Sequence, residues 1–104
     1  MATPILSSRL KAYTGAANTL DAYAQNAVIT VSHSSATTLT LPESTSVDFP
    51  IGTIITVVQI GAGAVTVAKT GSDTIVGTVA TVAAGDMLLV VKTTATGWHS
   101  ALAT

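Results

Sequence analysis

The stretch TIITVVQIGAGAVTVAK, residues 53–69, carries the clearest fold signal in this chain of 104 residues. Branched apolar residues and threonine make up most of residues 53–60, which is typical of a β-strand. The segment Gly-Ala-Gly at 61–63 interrupts this pattern, and an alternating pattern follows over residues 64–69. The glycines therefore predict a β-hairpin that joins two strands.

Shorter stretches of the same kind lie on both sides of this segment. Pro42 ends one of them because proline cannot donate to a sheet ladder, and Gly77 marks a kink or bulge in another. Seven or eight short strands at about ten-residue spacing predict an all-β fold, a small antiparallel β-sandwich or barrel. No strong internal repeat is visible. We predict further strands at 27–32, 37–41, 74–76, 79–82, 87–93 and 98–102.

The core has to be built from aliphatic residues, because only 4% of the chain is aromatic. Such side chains suit a pleated, half-buried sheet whose outer face carries threonine. Alternation within the strands then selects the side chains that face inward. The predicted buried set is Val28, Leu39, Leu41, Val57, Val65, Val67, Leu88, Val90 and Trp98.

The composition changes near residue 26, and the first 26 residues contain both tyrosines. Leu6, Leu10 and Tyr13 recur there at helical spacing. We predict an N-terminal arm over residues 1–26 with one helical turn, and a β domain over residues 27–104. A loose tail is the alternative for the arm. The arm residues expected to contact a partner are Ile5, Leu6, Arg9, Leu10, Lys11 and Tyr13.

Charge is scarce, since only 9% of the residues are Asp, Glu, Lys or Arg, against about 25% in an ordinary soluble domain. With a net charge of −1, the chain lacks the clustered basic surface that nucleic-acid binding requires. The apolar run at 87–91 is far shorter than the ~20 residues of a spanning helix, so no membrane partner is expected. A surface of threonine, alanine, serine and glycine instead favours contact with other proteins and predicts a homo-oligomer, a trimer.

Residue types that carry chemistry are few and scattered. His33 and His99 each precede a serine, but no nucleophile-elbow pattern surrounds them, and their spacing relative to Asp86 is no metal signature. Trp98 between Gly97 and His99 is interpreted as a core side chain and not as a sugar-stacking platform. We therefore predict no enzyme activity, no cofactor and no metal site. The aspartates beside turn signals are interpreted as turn caps: Asp48, Asp73 and Asp86.

The order TLTLP … VDFPIGTIITVVQIGAGAVTV … GW resembles a small β module of tailed-bacteriophage virion proteins. Its most characteristic part is the Phe-Pro-Ile-Gly-Thr segment at 49–53, followed by the Gly-Ala-Gly segment and closed by Trp98. The resemblance covers residues 27–102 and not the arm. It implies a structural protein that is trimeric.

The resemblance implies a place on the virion, on the surface of the capsid, after synthesis in the host cytoplasm. A short module with an arm and no stalk is similar to a capsid decoration (cement) protein, whose partner is the major capsid protein. Two alternatives stay open. One is a tail, baseplate or fibre adaptor module, and the other is a glycan-binding domain, which the scarcity of aromatic residues disfavours.

Overall fold

The computed structural model describes residues 9–103. Alternating apolar residues form strands here as the sequence predicts, with bounds within two residues of expectation for seven of the eight predicted strands. The exception is 79–82, where only an isolated bridge between Thr66 and Ala80 forms. Nine strands and one short 3-10 helix are present in this range: β1 Arg9–Tyr13, β2 Ala17–Thr19, η1 Ala22–Ala24, β3 Ala27–Val31, β4 Thr37–Thr40, β5 Ile54–Gln59, β6 Val65–Ala68, β7 Thr74–Gly77, β8 Met87–Thr94 and β9 Gly97–Ala103.

The strands form two sheets, and most neighbours in them are parallel. The larger sheet has six strands in the order β1-β3-β5-β8-β9-β7, and the smaller has three in the order β2-β4-β6. Only β5 with β8 and β8 with β9 are antiparallel among the named strand pairs. The prediction of an antiparallel sandwich or barrel is therefore wrong: the described chain is a β-rich domain with one mixed and one parallel sheet.

The parallel pairs arise because successive turns of the chain stack on one another. Each turn places one strand in the larger sheet and the next in the smaller sheet, as rungs of a parallel β-solenoid do. Ile29 lies beside Val57 in one sheet and Leu39 beside Val67 in the other, an offset of 28 residues in both. This repeat is structural, and the sequence analysis did not detect it because identical residues rarely recur at that offset.

The Gly-Ala-Gly segment at 61–63 is a corner between the sheets and not a hairpin, which corrects the sequence interpretation. β5 and β6 belong to different sheets, and the corner stacks on the equivalent corner of the preceding rung. The Gly63 amide donates to the His33 carbonyl at 2.8 Å. A Cβ at Gly63 would overlap the carbonyl oxygen of Ser35. Glycine is therefore required for close backbone approach between rungs.

The carboxy-terminal part of the chain ends the stack. β8 and β9 form a hairpin that pairs with β5, and residues 79–81 lie along the open edge of β6. A buried polar contact joins these parts, because the Thr81 hydroxyl donates to the Gln59 amide oxygen at 2.5 Å and accepts from the Val65 amide at 2.8 Å. Both members of this pair are buried, and their partners satisfy them.

The inner faces of both sheets contribute to one hydrophobic cluster. Eight of the nine side chains predicted to be buried lie within it. Val28 is the exception: it is half-buried, whereas its neighbours Ala27, Ile29 and Val31 face the core. The outward residues of 27–31 are Val28 and Thr30, and the prediction took Val28 for the inward side because it is apolar like Ile29 and Val31.

Residues 9–26 lie within the same sheets as the chain that follows. β1 pairs in parallel with β3, and β2 with β4. Arg9–Tyr13 is thus a strand where a helical turn was expected. Leu20 is buried in the core, and Tyr13 packs against it. Tyr13 and Leu20 therefore attach residues 9–26 to the rung that β3 and β4 form.

Candidate interaction surface

The two sheets turn very different outer faces to solvent. Side chains alternate between core and exterior along each strand, so the outward positions follow from the register and the burial pattern. On the larger sheet the exposed Thr74 and Thr93 also point outward, at one end. We call the other fourteen outward side chains the apolar face. They form three rows across the strands: Leu10, Val28, Thr56, Leu89 and Ala101; Ile54, Val91, His99 and Val76; and Ala12, Thr30, Val58, Met87 and Ala103.

Eleven of the fourteen positions on the apolar face are aliphatic or methionine. The most exposed are Leu10 at 68%, Val76 at 56% and Ile54 at 45%. None of the fourteen is Asp, Glu, Lys or Arg. Its titratable side chain is His99, whose Nδ1 lies 2.8 Å from the Thr93 hydroxyl. The face therefore offers a contact surface without carboxylate, amine or guanidinium groups.

A groove of about 350 Å³ crosses one end of the apolar face. It exists because Gly77 and Ala101 are small, while Leu89 and Val76 rise on either side. Gly77 cannot carry a side chain without moving the backbone, since a Cβ there would overlap the Ser100 carbonyl oxygen. The groove is a fixed feature of the sheet and is lined mainly by hydrocarbon.

The outer face of the smaller sheet, which we call the threonine face, has the opposite character. Its six positions are four threonines and two alanines. Hydroxyl groups on a pleated surface are readily hydrated, and threonine suits exposed strand positions. This face is an ordinary solvated surface, and it provides an internal reference for the apolar face. Its members are Ala17, Thr19, Thr38, Thr40, Thr66 and Ala68.

The predicted arm residues fall in different places. Ile5 and Leu6 lie outside the described residues, and Arg9 begins β1. Leu10 points outward on the apolar face and is strongly exposed. Lys11 lies on the other side of β1 with its amine 5.7 Å from the centre of the Tyr13 ring. Leu10 is therefore a predicted contact residue that lies on the apolar face.

The surroundings of the Tyr13 side chain shift the pKa of its phenol. Burial raises the pKa of the Tyr13 phenol above its usual value of 10.0, and the negative charge of Asp21 raises it further. Asp21 itself caps η1, because its carboxylate accepts a hydrogen bond from the Tyr23 amide at 3.0 Å. The phenol therefore stays protonated over the physiological range.

The Phe-Pro-Ile-Gly-Thr segment and Trp98, two parts of the quoted resemblance, meet in the core. Phe49 packs edge-on against Trp98 with 5.6 Å between ring centres. The Lys92 amine lies 5.7 Å from the centre of the Trp98 ring and 3.4 Å from an Asp48 carboxylate oxygen. Trp98 is only 1% exposed, so it cannot stack on a sugar. Its indole N–H has no hydrogen-bond acceptor within the described residues.

The other side chains considered for catalysis or metal binding form hydrogen bonds within turns and between loops. Asp86 accepts hydrogen bonds from the Val82 and Ala83 amides, as expected of a turn cap. Asp73 binds the amide and hydroxyl of Ser44, and so fastens one loop to another. His33 accepts from the Ser35 amide at 3.1 Å. Within residues 9–103 no three metal-ligating side chains lie close enough to hold an ion.

Two further searches gave negative results. Across the described part of the chain, no helix has the length and apolar character needed to span a membrane. No family model matches the sequence, and no curated protein or solved structure is significantly similar to it. Function must therefore be argued from the surface itself.

Sequence reasoning missed most of the apolar face. Leu10 was singled out, but the outward residues of the central strands were not. The available signal was the apolar run Met-Leu-Leu-Val-Val at 87–91, which is apolar on both sides of the strand. Strands that are covered on both faces read as continuous apolar runs.

Proposed function

We propose that this chain is a non-catalytic structural subunit of a tailed-phage particle, a capsid decoration protein that binds the major capsid protein and stabilises the outer head. The observation that carries the proposal is the apolar face, a wide uncharged surface that suits protein contact and not charged ligands. The resemblance at residues 49–53 and at Trp98 supplies the virion context.

The proposed mechanism is mechanical. A subunit that bridges neighbouring coat proteins adds buried area across a seam of the lattice. Because many copies bind one particle, a modest affinity at each site produces a large total stabilisation. The proposed oligomer is a homotrimer, which would present three amino-terminal segments to the lattice.

The amino-terminal segment is the proposed coat-binding element. Leu10 and Lys11 are both exposed at the edge strand β1. An apolar side chain and a cation at one sheet edge fit a coat surface that carries an apolar pocket beside an acidic residue, although such an exposed ion pair contributes only about 1 kcal/mol or less. Ile5 and Leu6 belong to the same proposed element.

The test is to separate heads from tails of the particle that carries this chain and to identify its peptides by mass spectrometry. We expect the peptides in the head fraction. Heads stripped of the protein should rebind the full chain, and a variant lacking residues 1–8 should rebind less. This deletion leaves the described rungs intact, unlike removal of residues 1–26, which would also remove β1 and β2. Absence from heads would overturn the proposal.

A tail, baseplate or fibre adaptor is the second candidate, and one observation favours it. Parallel rungs stack along one axis, and β1 and β2 at the first rung pair only on one side within the described residues. Such an edge is suited to continuing a stack in another protein. Peptides found in tails and absent from heads would select this alternative.

A further inference from the structure

We infer that the apolar face is the contact between copies of this chain, so that the face of one copy packs against the same face of a second copy. The inference goes beyond the proposed function, because it assigns the apolar face to a two-fold contact between copies. It rests first on the contrast between the two outer faces of one small domain. The same strand geometry exposes hydroxyl groups on one side and aliphatic groups on the other.

The strands themselves indicate that the apolar face is covered. In the smaller sheet, Thr-Thr-Leu-Thr at 37–40 alternates cleanly, as expected of a sheet with one solvated side. In the larger sheet, Met-Leu-Leu-Val-Val at 87–91 and Ile-Ile-Thr-Val-Val at 54–58 do not alternate. Their inward residues fill the core, and their outward residues form a second apolar layer that lies at the surface of the single chain.

The lack of acidic, lysine and arginine side chains on the apolar face indicates which partner covers it. No position of the apolar face is Asp, Glu, Lys or Arg, so a partner with charged groups there would leave most of them buried and unpaired. The chain itself has such an uncharged surface, and a two-fold axis brings the face against its own copy. In that arrangement the ridge around Leu89 and Ile54 of one copy can enter the groove beside Ala101 and Gly77 of the other.

The size of the face agrees with a reversible contact between copies. Six strands about 4.8 Å apart and about five residues long give a footprint of about 24 by 17 Å, or about 400 Å². Two copies together bury about 800 Å² by this projection, and side-chain relief increases the accessible area further. Specific interfaces begin near about 1,000 Å² in total, so we expect micromolar association. A face that packs on its own copy defines a two-fold contact, so the contacts of the proposed trimer would have to use other surfaces.

The experiment is sedimentation velocity of the full chain from 2 to 200 µM, with L89D and T38D as a matched pair. Both substitutions put an aspartate into the middle of a strand and change the net charge equally, but one lies on the apolar face and the other on the threonine face. We expect the wild type and T38D to associate, and L89D to associate at least 30-fold more weakly. Circular dichroism checks that both variants fold.

A second readout does not depend on a disruptive substitution. The chain has no cysteine, so A101C and T38C each introduce a single reactive thiol. A bis-maleimide linker should join copies of A101C at 20 µM and leave T38C unjoined. Both residues are exposed, so a difference in cross-linking reports proximity between copies and not reactivity.

The outcomes separate this inference from the proposed function. A wild type that stays monomeric at 200 µM overturns the inference, as does equal association of L89D and wild type or equal cross-linking of the two thiol variants. A monomer that binds heads through the apolar face would assign that face to the coat and leave the proposed function standing. An oligomer that forms through this face but is absent from virions would do the reverse.

Discussion

The apolar face and the threonine face are built by the same turns of chain, yet they present opposite chemistry. Val28 and Thr38 lie in the two strands of one rung, and both point away from the core. One position carries an aliphatic group and the other a hydroxyl. The fold therefore does not demand an apolar exterior, and the apolar face reflects a requirement outside the single chain.

The contrast also explains which parts of the fold could be predicted. Strand positions depend on local alternation. From residue 27 onward they were predicted closely except at 79–82, whereas β1 and β2 were missed. The inward side was predicted correctly where threonine marks the exterior, as at Leu39 and Val67. At Val28 the prediction was wrong, because an apolar residue stands on the outer side of β3 although Thr30 on the same side is polar. Apolar residues at outward positions obscure which side of a strand faces the core, and they also define the candidate surface.

Strand pairing could not be predicted, because alternation carries no information about the neighbouring strand. The loop at 41–53 is long enough to return the chain to the start of a parallel strand, but its composition does not say so. Gly61 and Gly63 suit a hairpin and a stacked corner equally well in sequence. What distinguishes the two is the approach of the preceding rung at His33 and Ser35, which is a contact between distant parts of the chain.

The largest loss of stability is expected from a substitution that disrupts both sheets, because the apolar face and the threonine face depend on them. In G63A the new Cβ meets the Ser35 carbonyl oxygen, so the corner that joins the two sheets has to open. We expect a loss of more than about 3 kcal/mol in the free energy of unfolding. Chemical denaturation provides the measurement.

The control for this prediction is G52A. Gly52 has a φ of +96° but has no atom within 4 Å of a built Cβ. We expect a loss of about 1–2 kcal/mol from backbone strain alone. Equal losses of unfolding free energy in G63A and G52A would contradict the prediction. They would show that the close approach of the two rungs at Gly63 does not stabilise the sheets that carry both faces.

The next effect concerns the apolar face alone. Replacing Leu10, Ile54, Val76 and Leu89 with threonine gives this face the chemistry of its counterpart while the core remains unchanged. Each substitution removes about 1 kcal/mol of apolar burial in a contact, so association should weaken about 100-fold or more. Sedimentation measures the change, and a retained thermal midpoint shows that the domain is folded. Unchanged association would mean that the two faces do not differ in function.

A smaller effect is expected from the converse change. Replacing Thr38, Thr40 and Thr66 with valine gives the threonine face an apolar character, and valine fits exposed strands at least as well as threonine. The stability of the single domain should change by less than about 1 kcal/mol. A second exposed apolar surface should produce assemblies larger than those of the wild type above about 100 µM. Light scattering at equal concentrations tests this, and identical profiles would contradict it.

The smallest effect involves Tyr13, which holds the inner side of β1 at the edge of the apolar face. Burial and Asp21 raise the pKa of its phenol in the folded state. The folded protein therefore resists deprotonation more than the unfolded chain does. The corresponding stability is fully present below about pH 10, the pKa in the unfolded chain, and is lost as the pH rises through the higher folded value.

We accordingly expect the wild type to lose stability more steeply than Y13F between pH 9 and 11.5. Phenylalanine preserves the ring that packs against the core and removes the ionisable group. The difference between the two proteins at pH 7 serves as the reference, because the phenol is protonated in both states there. Parallel curves for the two proteins would mean that β1 does not hold Tyr13 against the core in solution. The first rung, and with it the Leu10 edge of the apolar face, would then be open.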